Sequence, residues 1–139
     1  MSTGETVYLL DDEPGMLKAL TRLLAAEGYT VRAFNSAKSF LESNPPAGVS
    51  CLVLDVAMPE IDGLALQQRL ARDGILLPIV FLSGHGDIPK SVQAIKAGAL
   101  DFLTKPVKDV DLLRAVRTAL QRAAEQREGI AEAAVLHQR

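Results

Sequence analysis

The sequence predicts an α/β fold of (βα)5 type, a doubly wound parallel sheet. Three observations point there. Short apolar runs alternate with amphipathic ones five times along 139 residues. Two of those runs, Cys51–Leu54 and Ile79–Leu82, are continuously apolar, as strands buried on both faces must be. The stretches between runs are long enough for the crossover helix that parallel pairing requires. Such crossovers are right-handed.

Each element follows from its own signal. Thr6–Leu10 reads as the first strand. Pro14 suits a first helical turn, and Met16, Leu17, Leu20, Leu23 and Leu24 recur at helical spacing until Gly28 stops the helix. Thr30–Phe34 is β-rich with polar flanks around Val31, as a strand near a sheet edge would be. Ser36 caps a short helix through Leu41, and Asn44-Pro45-Pro46 marks a loop. After Cys51–Leu54, Asp62 caps a helix with Leu64, Leu66 and Leu70 on its apolar face, closed by Gly74. Ile79–Leu82 leads into a loop, Ser83-Gly84-His85-Gly86-Asp87. Ile88–Ala97 is helical and Gly98 stops it. Asp101–Leu103 is a short strand broken by Lys105-Pro106. Asp109–Arg122 is the last strong helix, with Val110, Leu113, Val116, Ala119 and Leu120 expected on its buried side. Beyond Arg122 the pattern stays helical but polar, interrupted by Gly129, so 1–122 reads as the domain and 123–139 as a linker or extended helix.

Composition narrows the function. Apolar residues make up 48% and charged residues 23%, which fits a globular domain and argues against disorder. The net charge is −2 without a basic run, so this domain alone is not expected to bind DNA. Cys51 is the sole cysteine and opens an apolar run, so a buried free thiol and a reducing cytoplasm are expected. The start lacks the basic and apolar regions of a signal peptide. No segment reaches the roughly 20 apolar residues of a membrane span, so no membrane partner is expected.

The chemistry sits where the apolar runs end. Asp11 and Asp12 follow VYLL, Asp55 follows CLVL, Ser83 follows PIVFL, and Lys105 follows DFLT. In neighbouring parallel strands these residues converge at one sheet edge, where open α/β sheets bind their ligands. Three crowded carboxylates repel one another unless a cation joins them. Oxygen donors at that density suit a hard ion, Mg²⁺ first. Singly, Asp11 or Asp12 reads as a helix-start acid, Ser83 as a loop serine, Lys105 as a solvated lysine and Phe102 as core; together they read as a metal pocket.

Four strings, LLDDE, LVLDVAMPEIDG, FLSGHGD and DFLTKP, appear in order at the ends of the expected strands. With them the chain resembles the receiver domain of two-component response regulators, and its second half looks like the FixJ branch. Some sigma-54 activators carry a similar GHGD loop. The resemblance implies the flavodoxin-like, CheY-like strand order 2-1-3-4-5. It implies Asp55 as phosphoacceptor for a sensor histidine kinase, through covalent carboxylate chemistry. It implies Asp12 and Asp55 as direct Mg²⁺ ligands, Asp11 through water, and the Ala57 carbonyl as a further ligand, with Mn²⁺ or Ca²⁺ as substitutes. Lys105 would pair with the phosphoryl group, or with Asp55 before transfer, and its bond to Pro106 would be cis. Ser83 would be the switch hydroxyl and Phe102 the switch aromatic. Many members carry a polar side chain where Ala57 stands, a position that tunes water access to the phosphorylated state.

The resemblance further implies a signalling phosphoacceptor rather than an enzyme, with weak autophosphorylation and autodephosphorylation only. It implies a homodimer on phosphorylation, through the fourth helix and fifth strand, and DNA contact only through a helix-turn-helix output domain absent from this sequence. The tail resembles an interdomain linker. A receiver of a sigma-54-type activator, or a stand-alone phosphorelay receiver, is the variant reading. Two other classes fit less well. A flavodoxin-like nucleotide binder wants a Gly-rich phosphate loop after the first strand, where this chain has the acidic DDEPG. A Mg²⁺-dependent phosphohydrolase of the haloacid-dehalogenase type wants DxDx[TV] there, and the pattern fails.

Overall fold

The computed structural model describes residues 5–43, 48–58, 61–84 and 88–137, with side chains for all of these except 88 and 128–137. The strands are β1 (Thr6–Leu10), β2 (Thr30–Phe34), β3 (Ser50–Asp55), β4 (Ile79–Ser83) and β5 (Asp101–Thr104). The helices are α1 (Pro14–Ala26), α2 (Ala37–Glu42), α3 (Gly63–Arg72), α4 (Ile88–Lys96) and α5 (Asp109–His137). All pairings are parallel, in the order β2-β1-β3-β4-β5. The flavodoxin-like arrangement expected from the sequence is therefore the observed one. The proposed Asn44–Pro46 loop, Pro59 and the His85–Asp87 stretch lie outside the described residues.

Period-two alternation divides the central strands between two cores. Tyr8, Leu10, Leu52, Leu54 and Phe81 face α2, α3 and α4, while Val7, Leu9, Cys51, Val53, Val80 and Leu82 face α1 and α5. Continuous apolar runs were needed because both faces are covered. β2 alternates less cleanly, since it is an edge strand and largely exposed.

The caps follow the sequence chemistry. The Ser36 Oγ accepts the Ser39 N–H at 3.1 Å, and the Asp62 carboxylate accepts the Leu64 N–H at 2.9 Å. Pro14 begins α1, behind Glu13 at the N-cap, and Gly28 ends it with φ of 93°.

The first turn of the last helix departs from expectation. Its buried stripe is Leu112, Ala115, Val116, Ala119, Leu120 and Ala123, whereas Val110 is 58% exposed. Val110 lies in the first turn, off the stripe that follows the sheet, and apolar spacing alone did not fix the rotation of that turn. The 29-residue helix runs on beyond Arg122, through Gly129 to His137, the extended-helix alternative of the sequence reading. A helix-interior glycine costs only about 1 kcal/mol relative to alanine, which the surrounding helix formers absorb.

Gly63 ties the site to the core. A Cβ there would sit 2.9 Å from the Val56 Cα, 3.0 Å from the Asp55 carbonyl oxygen and 3.0 Å from the Phe81 ring. The Gly63 N–H also donates to the Val56 carbonyl at 3.0 Å. Only glycine lets α3 begin against the end of β3. Gly63→Ala is expected to destabilise the fold by about 1–3 kcal/mol through overpacking against backbone, read as a lower denaturant midpoint.

Candidate functional site

The order β2-β1-β3 sends the chain away from β1 on both sides, so the loops after β1 and β3 part and leave a crevice at the strand ends. Asp11 is the first residue beyond β1, Asp55 the last of β3, Ser83 the last of β4, and Lys105 the first beyond β5. Register sets them level: Asp55 pairs with Leu82, and Ser83 with Thr104. The Lys105 N–H then donates to the Ser83 carbonyl at 2.6 Å, fixing where the lysine side chain starts.

Lys105 is the electrostatic centre. Its Nζ lies 2.8 Å from Asp11 Oδ2, 3.3 Å from Glu13 Oε1 and 3.5 Å from Asp55 Oδ2. The resemblance pairs it with Asp55 in the resting state; the structure gives its shortest contact to Asp11 instead. Asp11 is buried, and a buried carboxylate needs a partner charge more than a solvated one does. Asp11 also accepts the Glu13 N–H through Oδ1 at 2.9 Å, so both its oxygens are engaged. The Lys105–Pro106 peptide bond is cis, as expected.

Asp55 is 4% exposed and accepts the Ala57 N–H through Oδ1 at 3.1 Å. Burial pushes its carboxyl above the ordinary value, and the neighbouring Asp11 charge adds to that; the Ala57 N–H and Lys105 oppose it. For Lys105, burial works against the charged form, but the carboxylates of Asp11, Asp55 and Glu13 outweigh it and hold the ammonium above its usual range.

One ligand oxygen from each of Asp11, Asp12, Glu13 and Asp55 lies within 4.8 Å of the others. One ammonium faces four carboxylates, a donor set that fits a hard divalent cation. Asp12 is exposed on the open side, and the Ala57 backbone lies beside Asp55. Ser83 is buried at the back of the crevice. Phe102 is half-buried beneath it, its ring 5.9 Å from that of Phe81.

Glu13 was missed from the sequence. It stands inside LLDDE, but nothing in that string separates it from an ordinary acid before a helix. What brings it in is the extended backbone at the N-cap, φ −93° and ψ 110°, with its carboxylate reaching back to Lys105. Cys51 is a fully buried free thiol, as expected, and burial pushes it up to about 12, which disfavours the reactive thiolate.

Residues 7–117 match the family model described as the response regulator receiver domain. The chain belongs to that family. It is 50% identical over 122 residues to the response regulator protein TmoT of Ectopseudomonas mendocina, an alignment covering 88% of this chain and 56% of TmoT. The receiver superposes on the response regulator StyR with a TM-score of 0.91 at 40% identity, covering 98% of this chain and 69% of that one. Full-length FixJ from B. japonicum superposes with a TM-score of 0.83 at 36% identity, covering 95% of this chain and 66% of FixJ. The chain spans about half the length of the curated relatives it matches. Receivers of this family work with sensor histidine kinases in signal transduction and transcription regulation. Among the described residues no helix is long and apolar enough to cross a membrane.

Two outcomes follow from these electrostatics. Lys105→Met leaves buried Asp11 without its countercharge and is expected to cost about 3 kcal/mol in metal-free urea denaturation. Asp55→Asn acts in the other direction. A carboxyl raised in the folded state makes its ionised form costly, fully above the folded pKa and not at all below the ordinary carboxylate range near about 4. The metal-free variant is therefore expected to melt higher than the parent at neutral pH, with the gain vanishing as pH falls below that range.

Proposed function

We propose that this receiver accepts a phosphoryl group on Asp55 from a sensor histidine kinase, with Mg²⁺ bound. The observation that carries the reading is Asp55 itself: a buried carboxylate at a strand end, clustered with three further acids and within reach of one ammonium. A carboxylate oxygen of Asp55 forms the bond to phosphorus. The P–N bond of the donor phosphohistidine breaks, and the imidazole leaves with its electron pair. Lys105 meets the transferred group with its positive charge. Asp12 and Asp55 would hold the metal directly, Asp11 through water, and the Ala57 carbonyl would complete the protein's share. Bound there, Mg²⁺ would supply positive charge against the phosphoryl oxygens, and Mn²⁺ or Ca²⁺ would be substitutes.

Ser83 then hydrogen-bonds a phosphoryl oxygen, and Phe102 turns inward as the loop after β4 is drawn toward the site. Three contacts support that route. Lys105 is bonded to Ser83 through the backbone, Phe102 packs on Phe81, and the Gln67 Nε2 ties α3 to the Ala94 carbonyl of α4 at 3.1 Å. Movement at Ser83 thus reaches α4 and β5, a local charge event read out by a bistable element. Val92 and Ile95 are each 46% exposed on α4, which suits a homodimer formed there on phosphorylation.

The relatives' greater length supports an output domain beyond the receiver, of the helix-turn-helix type, through which DNA would be contacted. The name of the FixJ relative, a transcriptional regulatory protein, points the same way. The receiver is then a cytoplasmic phosphoacceptor with weak chemistry of its own rather than an enzyme.

Intact mass after incubation with acetyl phosphate tests the reading. One phosphoryl group is expected on the parent, and none on Asp55→Asn or after removal of divalent metal. Failure to add phosphate or to bind beryllofluoride, which mimics the acyl phosphate, sinks it.

A further inference from the structure

Lys105 has three N–H donors, and three carboxylates take them. They are not equally replaceable. Asp11 is 2% exposed and would be left as a buried, uncompensated charge. Asp55, at 3.5 Å, is the loosest contact and is also the phosphoryl acceptor. Glu13 is 63% exposed at its side chain, so water takes over its carboxylate at once when the contact breaks. Its backbone stays put meanwhile, because its N–H is bonded to Asp11 and its carbonyl accepts the Leu17 N–H at 3.1 Å.

We propose that Glu13 is a positioning residue that holds Lys105 back from the acceptor and is the contact Lys105 exchanges for a phosphoryl oxygen. This rests on the phosphoacceptor reading of Asp55. Glu13 touches no reacting atom; it acts through the ammonium. Asp11 anchors the lysine, and Glu13 sets how much of it is held in reserve. Removing the Glu13 carboxylate leaves one N–H donor of Lys105 uncommitted before the donor arrives, so phosphorylation speeds up. An exposed ion pair limits the gain to about fivefold, which is about 1 kcal/mol at 1.36 kcal/mol per tenfold.

The test uses Glu13→Ala and Glu13→Asp, with acetyl phosphate as donor. In that reaction a carboxylate oxygen of Asp55 bonds to phosphorus, the P–O bond to the acetyl group breaks, and acetate leaves. Rates of adduct formation are read by intact mass at Mg²⁺ concentrations saturating for each variant, because Glu13 is also one of the four acids of the cluster. Both variants are expected to react about two- to fivefold faster than the parent. The Lys105 side-chain resonances of the metal-free protein are expected to shift in both, a readout that needs neither metal nor phosphate. Glu13→Asp separates contact from charge: it keeps the charge but loses the reach. If it behaves as the parent while Glu13→Ala is faster, distant charge is at work and the proposal falls. Unchanged rates, or unmoved Lys105 resonances, overturn it too. Glu13→Gln, exposed and isosteric, replaces the shorter variants if either fails to fold. No adduct on the parent itself overturns the phosphoacceptor reading and takes this inference with it, whereas an adduct at equal rates in all variants overturns the inference alone.

Discussion

The pull of one ammonium on several carboxylates is the constraint around which this end of the molecule is arranged. Asp11 and Asp55 are both buried, and they come from adjacent strands. Parallel register forces them together whatever their charges prefer. Lys105 is what makes that tolerable without a metal, and it can reach both because β5 ends one residue before it, level with Ser83. The sheet order, the ends of the strands and the close start of α3 at Gly63 all converge on holding these groups in place. Stability and chemistry are therefore opposed here. Burial that lifts the Asp55 carboxyl also places it where a cation and a phosphoryl group can be held away from bulk water.

That opposition explains why the pocket shares Lys105 three ways. On the proposed phosphoacceptor reading, a lysine committed wholly to Asp55 would neutralise the acceptor, and one committed wholly to Asp11 could not follow the incoming group. A compact charge on a flexible stem accommodates both demands better than the fixed fork of an arginine. On that reading, the packing of the sheet would carry the result outward. Phe81 and Phe102 belong with the α2–α4 face, so a change at Ser83 would be felt on that side rather than by α1.

Much of this was legible in the sequence. Continuous apolar runs at Cys51–Leu54 and Ile79–Leu82 announce doubly covered strands, and the polar residue after each run announces the crevice. Ser36, Asp62 and Pro14 mark helix starts by their own hydrogen-bonding limits. What was not legible depends on rotation and reach. The buried stripe of α5 includes Leu112 and excludes Val110 because the approach of the sheet, not hydrophobicity, decides which side of the first turn is covered. Glu13 could not be separated from ordinary surface acid, since only the three-dimensional return of its side chain toward Lys105 distinguishes it. Nor could the sequence rank Asp11 above Asp55 as the partner of Lys105, because burial at a strand end is a property of the packed whole.

The unbroken α5 has a mechanical meaning. A helix of 29 residues is about 43 Å long and transmits rotation as well as displacement. Whatever is joined to its far end is held on a stiff axle rather than a slack tether. Its bearing about that axle then depends on helical phase: each residue added or removed turns it by about 100° and moves it by about 1.5 Å. Spacing beyond the core is thus counted in turns, and two linkers of nearly equal length can present opposite faces.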